Sequence, residues 1–390
     1  MVLDILIYAH DGRGLGHASR SIAIGMALRR LFPNLRVLFV SGCRQSKEMI
    51  GSAPLDWLKL PSYETIVENG KSRGIIGKSM FADSQIGEFR TKELEHLVAL
   101  YRPRLVLVDH TPQGKHRELV PALSISRDIE TLWVLGVRGV LGAVDQARSE
   151  LAVDLFRKYY QGLLWYGDSR VLGESHLKQL RELYGQMPLE CGYVSRFAEF
   201  IALKSGWLER GAQFAGTVSV PWLGEKSLDF LRQLAKALEI IPENMGNWRL
   251  FIDAGDSAEI KKKVWSLFAG LHHCCLEQPG ERYGDALLRS KTAVIYGGYN
   301  SLMDIMQTGI PALVIEREMR DDEQRLHLQR LFAISGSRII SLPESGATVE
   351  QIHTMLLDNL QKKGSQYAAV NLDGAEQAAK VINRLLCESA

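Results

Sequence analysis

Short apolar runs alternate along this chain with longer stretches in which apolar residues recur every three or four positions. The first run is Ile5–Ala9, and the first stretch with helical spacing is Ser19–Phe32. A short continuous apolar run is typical of a strand buried on both faces, whereas the recurring pattern is typical of an amphipathic helix. The first half therefore predicts repeated strand–helix units, with further strands at Arg36–Val40, Leu105–Val108 and Thr131–Leu135.

The second half repeats this alternation, and between the halves the helical pattern stops around Cys191–Val194. Such alternation is typical of an open, mostly parallel sheet with helices on both faces. We therefore predict an α/β chain with domains at residues 1–192 and 193–370. A terminal amphipathic helix in residues 371–390 could pack back on the first domain. The second half predicts strands at Phe214–Val220, Arg249–Asp253, Thr292–Tyr296, Ala312–Ile315 and Arg338–Ser341, with helices at Ser227–Leu238, Ala258–Leu271, Ser301–Gln307 and Val349–Leu360.

Composition and charge exclude several classes of protein. With 390 residues, 46% hydrophobic and 24% charged, the chain is too long for one core and otherwise ordinary for a globular protein. Its net charge is +2 and its basic residues are scattered, which argues against nucleic acid as a partner. Its five cysteines include no C-x-x-C pair, so neither a zinc site nor a disulfide framework is predicted. Because the start does not resemble a signal peptide and no apolar run approaches roughly 20 residues, we expect a cytoplasmic protein.

The loop after the first strand is rich in glycine and ends in a histidine. Gly12, Gly14 and Gly16 would allow a sharp turn and the close approach of a ligand to the helix that follows. Their spacing is not that of the dinucleotide fingerprint, and no acidic residue ends the second strand, so NAD is disfavoured. His17 is a candidate functional residue because an imidazole titrates near neutral pH.

A second glycine pair follows the predicted strand that ends at Tyr296. Gly297 and Gly298 would open the backbone there, and Asn300 or Ser301 could cap the next helix and leave its N–H groups facing a phosphate. We place Asp304 on the first turn of that helix, where its carboxylate could accept hydrogen bonds from ribose hydroxyls. Further along, Glu323 and Gln324 follow the next strand and suit the hydroxyls of a sugar.

Together these segments resemble glycosyltransferase family 28, typified by the MurG-type N-acetylglucosaminyltransferases of peptidoglycan synthesis, and within it a group of bacterial glycosyltransferases. The resemblance covers most of the chain in order. It rests on Gly14–Arg20, Asp109–Gly114 with Glu118 and Leu119, Leu135–Arg138, Gly192–Val194, Gly297–Ser301 through Pro311, and Glu323 with Gln324.

The resemblance implies the GT-B architecture, in which two Rossmann-like domains with parallel sheets face each other across a cleft. It implies transfer of a sugar from a nucleoside diphosphate sugar, most often linked to UDP, to an acceptor hydroxyl, with no bound metal and no cofactor. A helix dipole and backbone amides would stabilise the leaving diphosphate. The donor would contact Gly16, Lys226, Gly297, Gly298, Asn300, Ser301, Asp304, Glu323 and Gln324, and the acceptor side would include Arg13, Glu118 and Arg138.

Two residues are candidates for the general base that removes the acceptor's proton. His17 is the first, Asp109 is the alternate, and the two could act as a pair.

One loop departs from the family pattern. Where a glycine-rich loop is usual after the first strand of the second domain, this chain has Val220–Ser227 with a single glycine and with Pro221 and Trp222. Lys226 could supply a point charge to the diphosphate instead.

Three other functions fit the same patterns. A PseG-type hydrolase would cleave the nucleotide sugar with water and would use the histidine of the first loop equally well. A non-hydrolysing nucleotide-sugar epimerase also has two Rossmann-like halves, and a non-catalytic binding protein would fit the altered loop at Pro221. The acceptor, whether a glycan, a lipid-linked or a small molecule, is left open. Apolar positions near Ile75, Ile76, Met80 and Phe81 would permit a peripheral contact with the inner face of a membrane.

Overall fold

The structure is a computed structural model in which the chain divides into two compact units. The first consists of residues 1–199 and 370–390, and the second of residues 200–369. The residues that the structure describes are 3–9, 15–68, 71–75, 80–139, 148–204, 213–224, 226–255, 257–278, 280, 282–317, 323–335, 338–362 and 370–389.

A parallel seven-stranded sheet forms the centre of the first unit. Its strand order is β3-β2-β1-β6-β7-β8-β9, and β4 and β5 form a separate antiparallel hairpin. Chain order and spatial order thus reverse between β1 and β6, which are hydrogen-bonded neighbours. The strands are β1 Ile5–Ala9, β2 Val37–Ser41, β3 Asp56–Lys59, β4 Glu64–Glu68, β5 Lys71–Ile75, β6 Leu105–Asp109, β7 Leu132–Arg138, β8 Gly162–Tyr166 and β9 Leu189–Glu190.

Every residue of β1, β6 and β8 is buried, which shows that both faces of this sheet are covered. The last helix of the chain, α15, packs against α1 and belongs to the same core. The helices of this unit are α1 Gly16–Leu31, α2 Ser46–Ile50, α3 Asp83–Tyr101, α4 Val120–Ile125, α5 Glu150–Tyr159, α6 Ser169–Leu172, α7 Ser175–Tyr184, α8 Arg196–Lys204, which crosses the division between the units, and α15 Gly374–Glu388.

The second unit has a parallel six-stranded sheet with the order β12-β11-β10-β13-β14-β15. Here the order reverses between β10 and β13, as it does between β1 and β6 in the first unit. Its strands are β10 Phe214–Val220, β11 Asn247–Ile252, β12 Cys274–Glu277, β13 Ser290–Tyr296, β14 Ala312–Glu316 and β15 Ile339–Pro343, and its helices are α9 Ser227–Ile240, α10 Ala258–Phe268, α11 Arg282–Leu288, α12 Tyr299–Thr308, α13 Glu323–Ser335 and α14 Val349–Gln361.

The strands predicted at Ile5–Ala9 and Phe214–Val220 have these same bounds in the structure. The first predicted helix begins three residues early, at Gly16, which moves His17 from the loop into the first helical turn. The sequence pattern missed the hairpin strands β4 and β5, the edge strands β3, β9 and β12, and the buried strand β8. The three edge strands are exposed or partly exposed, so they lack the continuous apolar run that marks a buried strand.

The segment Gly192–Val194, which the sequence marked as a boundary, is where the end of the chain returns to the first unit. Val194 forms an isolated antiparallel bridge with Asp373, and Gly374 donates its N–H to the carbonyl of Tyr193 at 3.0 Å. A Cβ atom on Gly374 would stand 2.5 Å from the carbonyl oxygen of Gly192. Only glycine permits the two backbones to approach this closely.

Among the described residues, no helix combines the length and the apolar character needed to cross a bilayer.

Candidate functional site

The point where strand order reverses in the first sheet brings His17 and Asp109 together. Asp109 is the last residue of β6, and His17 lies in the first turn of α1, which follows the neighbouring strand β1. At such a switch point the two chain connections leave in opposite directions and open a crevice at the carboxyl ends of the strands. The two candidate bases, 92 positions apart in sequence, thus become neighbours.

The contact between them is a direct hydrogen bond from Nδ1 of His17 to Oδ2 of Asp109. Arg20, one helical turn beyond His17, places Nη2 at 3.3 Å and 3.4 Å from the two carboxylate oxygens of Asp109. Asp109 and Arg20 are almost completely buried, whereas the side chain of His17 is 21% exposed. The histidine is therefore the member of this group that solvent or a ligand can reach.

Opposing effects act on the pKa of Asp109. Burial by itself raises the pKa of this carboxyl, but the positive charge of Arg20 and the interactions with His17 outweigh burial and hold the pKa well below its usual value. Asp109 is therefore ionised at neutral pH. An ionised carboxylate at Nδ1 fixes the proton of the imidazole on that nitrogen, and it leaves the lone pair on Nε2.

The pKa of His17 is lowered from its ordinary value of 6.5. Burial is the largest cause, the carboxylate of Asp109 acts in the opposite direction, and Arg20 and Arg138 add to the lowering. His17 is therefore neutral at pH 7, which is the state that a general base requires.

His110 lies beside this pair, with its ring centroid 4.9 Å from that of His17. Burial, followed by the effect of His17, lowers the pKa of His110 to about 3. Its backbone has φ of 85°, a left-handed conformation that is uncommon for residues other than glycine and that is found preferentially at functional sites. Sequence reasoning did not select His110 or Arg20, although one adjoins Asp109 and the other follows His17 at helical spacing.

Glu118, predicted on the acceptor side, is instead completely buried. Both oxygens of its carboxylate accept hydrogen bonds from Arg90, each at 2.7 Å, and the hydroxyls of Tyr8 and Tyr63 also donate to them. The backbone N–H of Lys115 donates to the hydroxyl of Tyr8 at 3.1 Å. These partners enclose Glu118 and link it to the loop that follows Asp109.

In the second unit, the glycine pair lies at the carboxyl end of β13, directly before α12. Gly298 is the N-cap, with φ of −75° and ψ of 149°, and no side chain caps the helix. The expectation that Asn300 or Ser301 caps it is wrong, because the extended backbone of Gly298 lets the helix begin at Tyr299. Asp304 consequently lies on the second turn of α12 and not on the first.

A cluster that sequence reasoning missed lies at the carboxyl edge of the same sheet. The guanidinium carbon of Arg317 is 3.5 Å from the ring centroid of Trp222 and 4.0 Å from that of Tyr296. Tyr296 and Ser227 both donate hydrogen bonds to Oε1 of Glu344, at 2.8 Å and 2.5 Å. We call these five residues the Arg317 cluster. Tyr296, Arg317 and Glu344 lie at the ends of β13, β14 and β15. Trp222 and Ser227 lie in the loop and at the start of the helix after β10. Because these elements are far apart in the chain, no local sequence pattern joins the five residues.

The remaining predicted residues have varied positions. Gly16 is the first residue of α1, Arg138 is the last residue of β7, and Lys226 is exposed with its Nζ 3.1 Å from Oγ of Ser345. Glu323 and Gln324 begin α13, but their side chains, like the whole of Arg13, Ile76 and residues 318–322, lie outside the described part of the chain. No group of three or more potential metal ligands occurs among the described residues.

No family model and no curated protein matches this sequence. The structure is similar to that of the UDP-GlcNAc 2-epimerase from Methanocaldococcus jannaschii, with a TM-score of 0.61 and 11% identity over 98% of this chain and 100% of the other. It is similar to UGT71G1 from Medicago truncatula complexed with UDP-glucose (TM-score 0.57, 13% identity, 99% and 98% covered). It is also similar to MurG from Acinetobacter baumannii (TM-score 0.53, 11% identity, 100% and 99% covered).

The chain has the GT-B fold. Two parallel α/β units with matching strand orders and similarity over nearly the whole length of each compared structure establish this architecture. At 11–13% identity the similarities show the fold alone.

Proposed function

We propose that this protein is a metal-independent glycosyltransferase that moves a sugar from a nucleoside diphosphate sugar, most often UDP-linked, to an acceptor hydroxyl. The observation that carries the proposal is the hydrogen-bonded pair of His17 and Asp109 at the switch point of the first sheet. Such a pair is suited to remove the proton of a hydroxyl as that hydroxyl attacks.

In this mechanism Nε2 of His17 removes the proton from the acceptor hydroxyl. The acceptor oxygen attacks the anomeric carbon, and the bond from that carbon to the diphosphate breaks. The imidazolium that forms is stabilised by the ionised Asp109. Asp109 remains ionised because Arg20 is 3.3 Å away. The negative charge that develops on the leaving diphosphate requires hydrogen-bond donors.

The start of α12 supports a donor site in the second unit. A Cβ atom added to Gly298 would meet no described atom within 4 Å, so the backbone at this helix start is open to a ligand. Backbone N–H groups at a helix N-terminus favour an anion such as a diphosphate. Asp304, one turn further on, is the candidate for the ribose hydroxyls.

A second candidate function is 2-epimerisation of a UDP-sugar. It is supported by the TM-score of the epimerase from M. jannaschii, 0.61, against 0.53 for MurG. In that reaction His17 would remove a proton from carbon in place of an acceptor hydroxyl.

One experiment separates these functions. Incubated in D2O with EDTA and UDP-GlcNAc or UDP-glucose, the protein is expected to release UDP only when a panel of hydroxyl acceptors is present. Mass spectrometry should then find the sugar on an acceptor. UDP and free sugar without any acceptor would indicate a hydrolase, and deuterium at C2 with no release of UDP would indicate an epimerase. Either result would overturn the proposal.

Donor binding gives a separate prediction. UDP at about 100 times its Kd is expected to stabilise the protein by about 2.7 kcal/mol in a thermal-shift measurement, with or without EDTA. Asp304→Ala should lose this shift if the carboxylate binds the ribose. Asp358→Ala, which removes an exposed carboxylate from α14, is the matched control and should keep the shift. Equal shifts in both variants would remove Asp304 from the donor site.

The pH dependence follows from the pKa of His17. Because a base must be unprotonated and the pKa of His17 is lowered, activity should persist below pH 6.5 and fall only at more acidic values. The acidic limb of kcat/KM against pH is the measurement. A limb centred above 6.5 would contradict the assignment of His17 as the base.

A further inference from the structure

The residues of the Arg317 cluster are those of an anion-binding site, and the anion in it is the carboxylate of Glu344. Two hydroxyl donors and one cation from different elements surround the carboxylate of Glu344. Ser227 and Tyr296 donate hydrogen bonds to it, and Nε of Arg317 forms an ion pair with it, 3.6 Å from Oε2. The side chains of Arg317 and Glu344 are each only 8% exposed. A buried carboxylate held by one cation and two hydroxyls is stabilised by the contacts that would also stabilise a phosphate oxygen.

The donors are held in place by contacts that do not involve Glu344. The backbone N–H of Gly224 donates to Oγ of Ser227 at 2.8 Å. The guanidinium of Arg317 lies between the rings of Trp222 and Tyr296, and its Nη2 donates to the carbonyl oxygen of Trp222. The arrangement of donors would therefore outlast the departure of the carboxylate.

The position of the cluster is also that of a phosphate site. Ser227 is the first residue of α9, and the other members follow or end β10, β13, β14 and β15 at the carboxyl edge of the sheet. Open parallel sheets bind ligands at this edge, and a helix N-terminus there favours an anion. The loop with Pro221 and Trp222 lacks the glycines of a backbone cradle, so charge from a side chain has to replace it.

We propose that the carboxylate of Glu344 occupies the position of a donor phosphate, and that Ser227, Tyr296 and Arg317 bind that phosphate once Glu344 moves away. This inference rests on the proposed use of a nucleoside diphosphate sugar. It adds that the protein carries its own competitor for the donor. The apparent affinity for the donor is lowered by the fraction of molecules in which Glu344 fills the site.

The test is the affinity of the full-length protein for UDP and for inorganic pyrophosphate, measured by isothermal titration calorimetry. Glu344→Gln removes the competing charge and is expected to bind UDP about tenfold more tightly than the unmodified protein. This gain corresponds to a site that is open in about a tenth of the unmodified molecules. Glu344→Asp keeps the charge that balances Arg317 but shortens its reach, so it should also gain affinity, by about threefold.

Two further variants show whether the gain arises in this site. Glu350→Gln removes an exposed negative charge from the first turn of α14 and should leave the affinity for UDP unchanged. The gain of Glu344→Gln should disappear when Arg317→Met is added, because the phosphate then loses the buried cation of the Arg317 cluster.

The outcomes separate this inference from the proposed function. Binding of UDP by the unmodified protein with no gain in folded Glu344→Gln and Glu344→Asp would overturn the inference and leave the proposed function standing. A gain that survives Arg317→Met would also overturn it. If neither the unmodified protein nor Glu344→Gln binds UDP, both proposals fail.

Discussion

Asp109→Asn is expected to lower kcat about a thousandfold and to change KM little. General bases contribute roughly 100- to 10,000-fold, and an amide at this position can neither fix the proton on Nδ1 of His17 nor stabilise the imidazolium that forms. Since the carboxylate raises the pKa of His17 against the effect of burial, its loss should also shift the acidic limb of the activity profile to lower pH. A purely structural role would not produce that shift.

The measurement is steady-state turnover of the UDP-sugar across the pH range, with two comparisons. His17→Ala should lose as much activity as Asp109→Asn, and the double variant should lose no more than either, because the residues act as one unit. Asp128→Asn, an exposed aspartate in the same unit, is the control and should keep full activity. A loss below about tenfold in Asp109→Asn would show that the pair is not the base of this reaction.

Arg90→Met is expected to lower the free energy of unfolding of the first unit by about 3–5 kcal/mol. The side chains of Arg90 and Glu118 are completely buried, and removing the guanidinium leaves a carboxylate without a countercharge in a place that water does not reach. The hydroxyls of Tyr8 and Tyr63 remain as hydrogen-bond donors to Glu118, but neither supplies a charge. Burial, followed by the charge of Glu118, raises the pKa of Tyr8 well above its ordinary value, so its hydroxyl stays protonated.

Urea unfolding, followed by circular dichroism and tryptophan fluorescence, measures this effect. Lys92→Met on the same helix is the matched control, because Lys92 is 71% exposed and pairs with the exposed Glu88, and solvent screens such a contact so that it contributes little to stability. Combining Arg90→Met with Glu118→Leu should recover most of the lost stability, since both charges are then gone. A cost in Arg90→Met no larger than that of the control would show that the pair does not stabilise the unit.

The sequence pattern located most of the central strands because those strands are buried on both faces. A continuous apolar run marks β1 without ambiguity. The pattern failed for β3, β9 and β12, whose positions at sheet edges leave them exposed or partly exposed, and it also failed for β8 although that strand is buried. It also placed the start of α12 too late, since a glycine N-cap leaves no side-chain signal.

The sequence determined the α/β class and the presence of two sheets, and it placed His17, Asp109 and Gly298 at or soon after the ends of strands, because apolar periodicity and glycine chemistry are local properties. Tertiary structure decided which of these residues meet. The reversal of strand order between β1 and β6 joins His17 to Asp109, and the fold buries Glu118 against Arg90 instead of leaving it for a ligand. The Arg317 cluster depends on tertiary structure alone, because Ser227 and Glu344 are 117 positions apart and meet only where parallel strands end at a common edge.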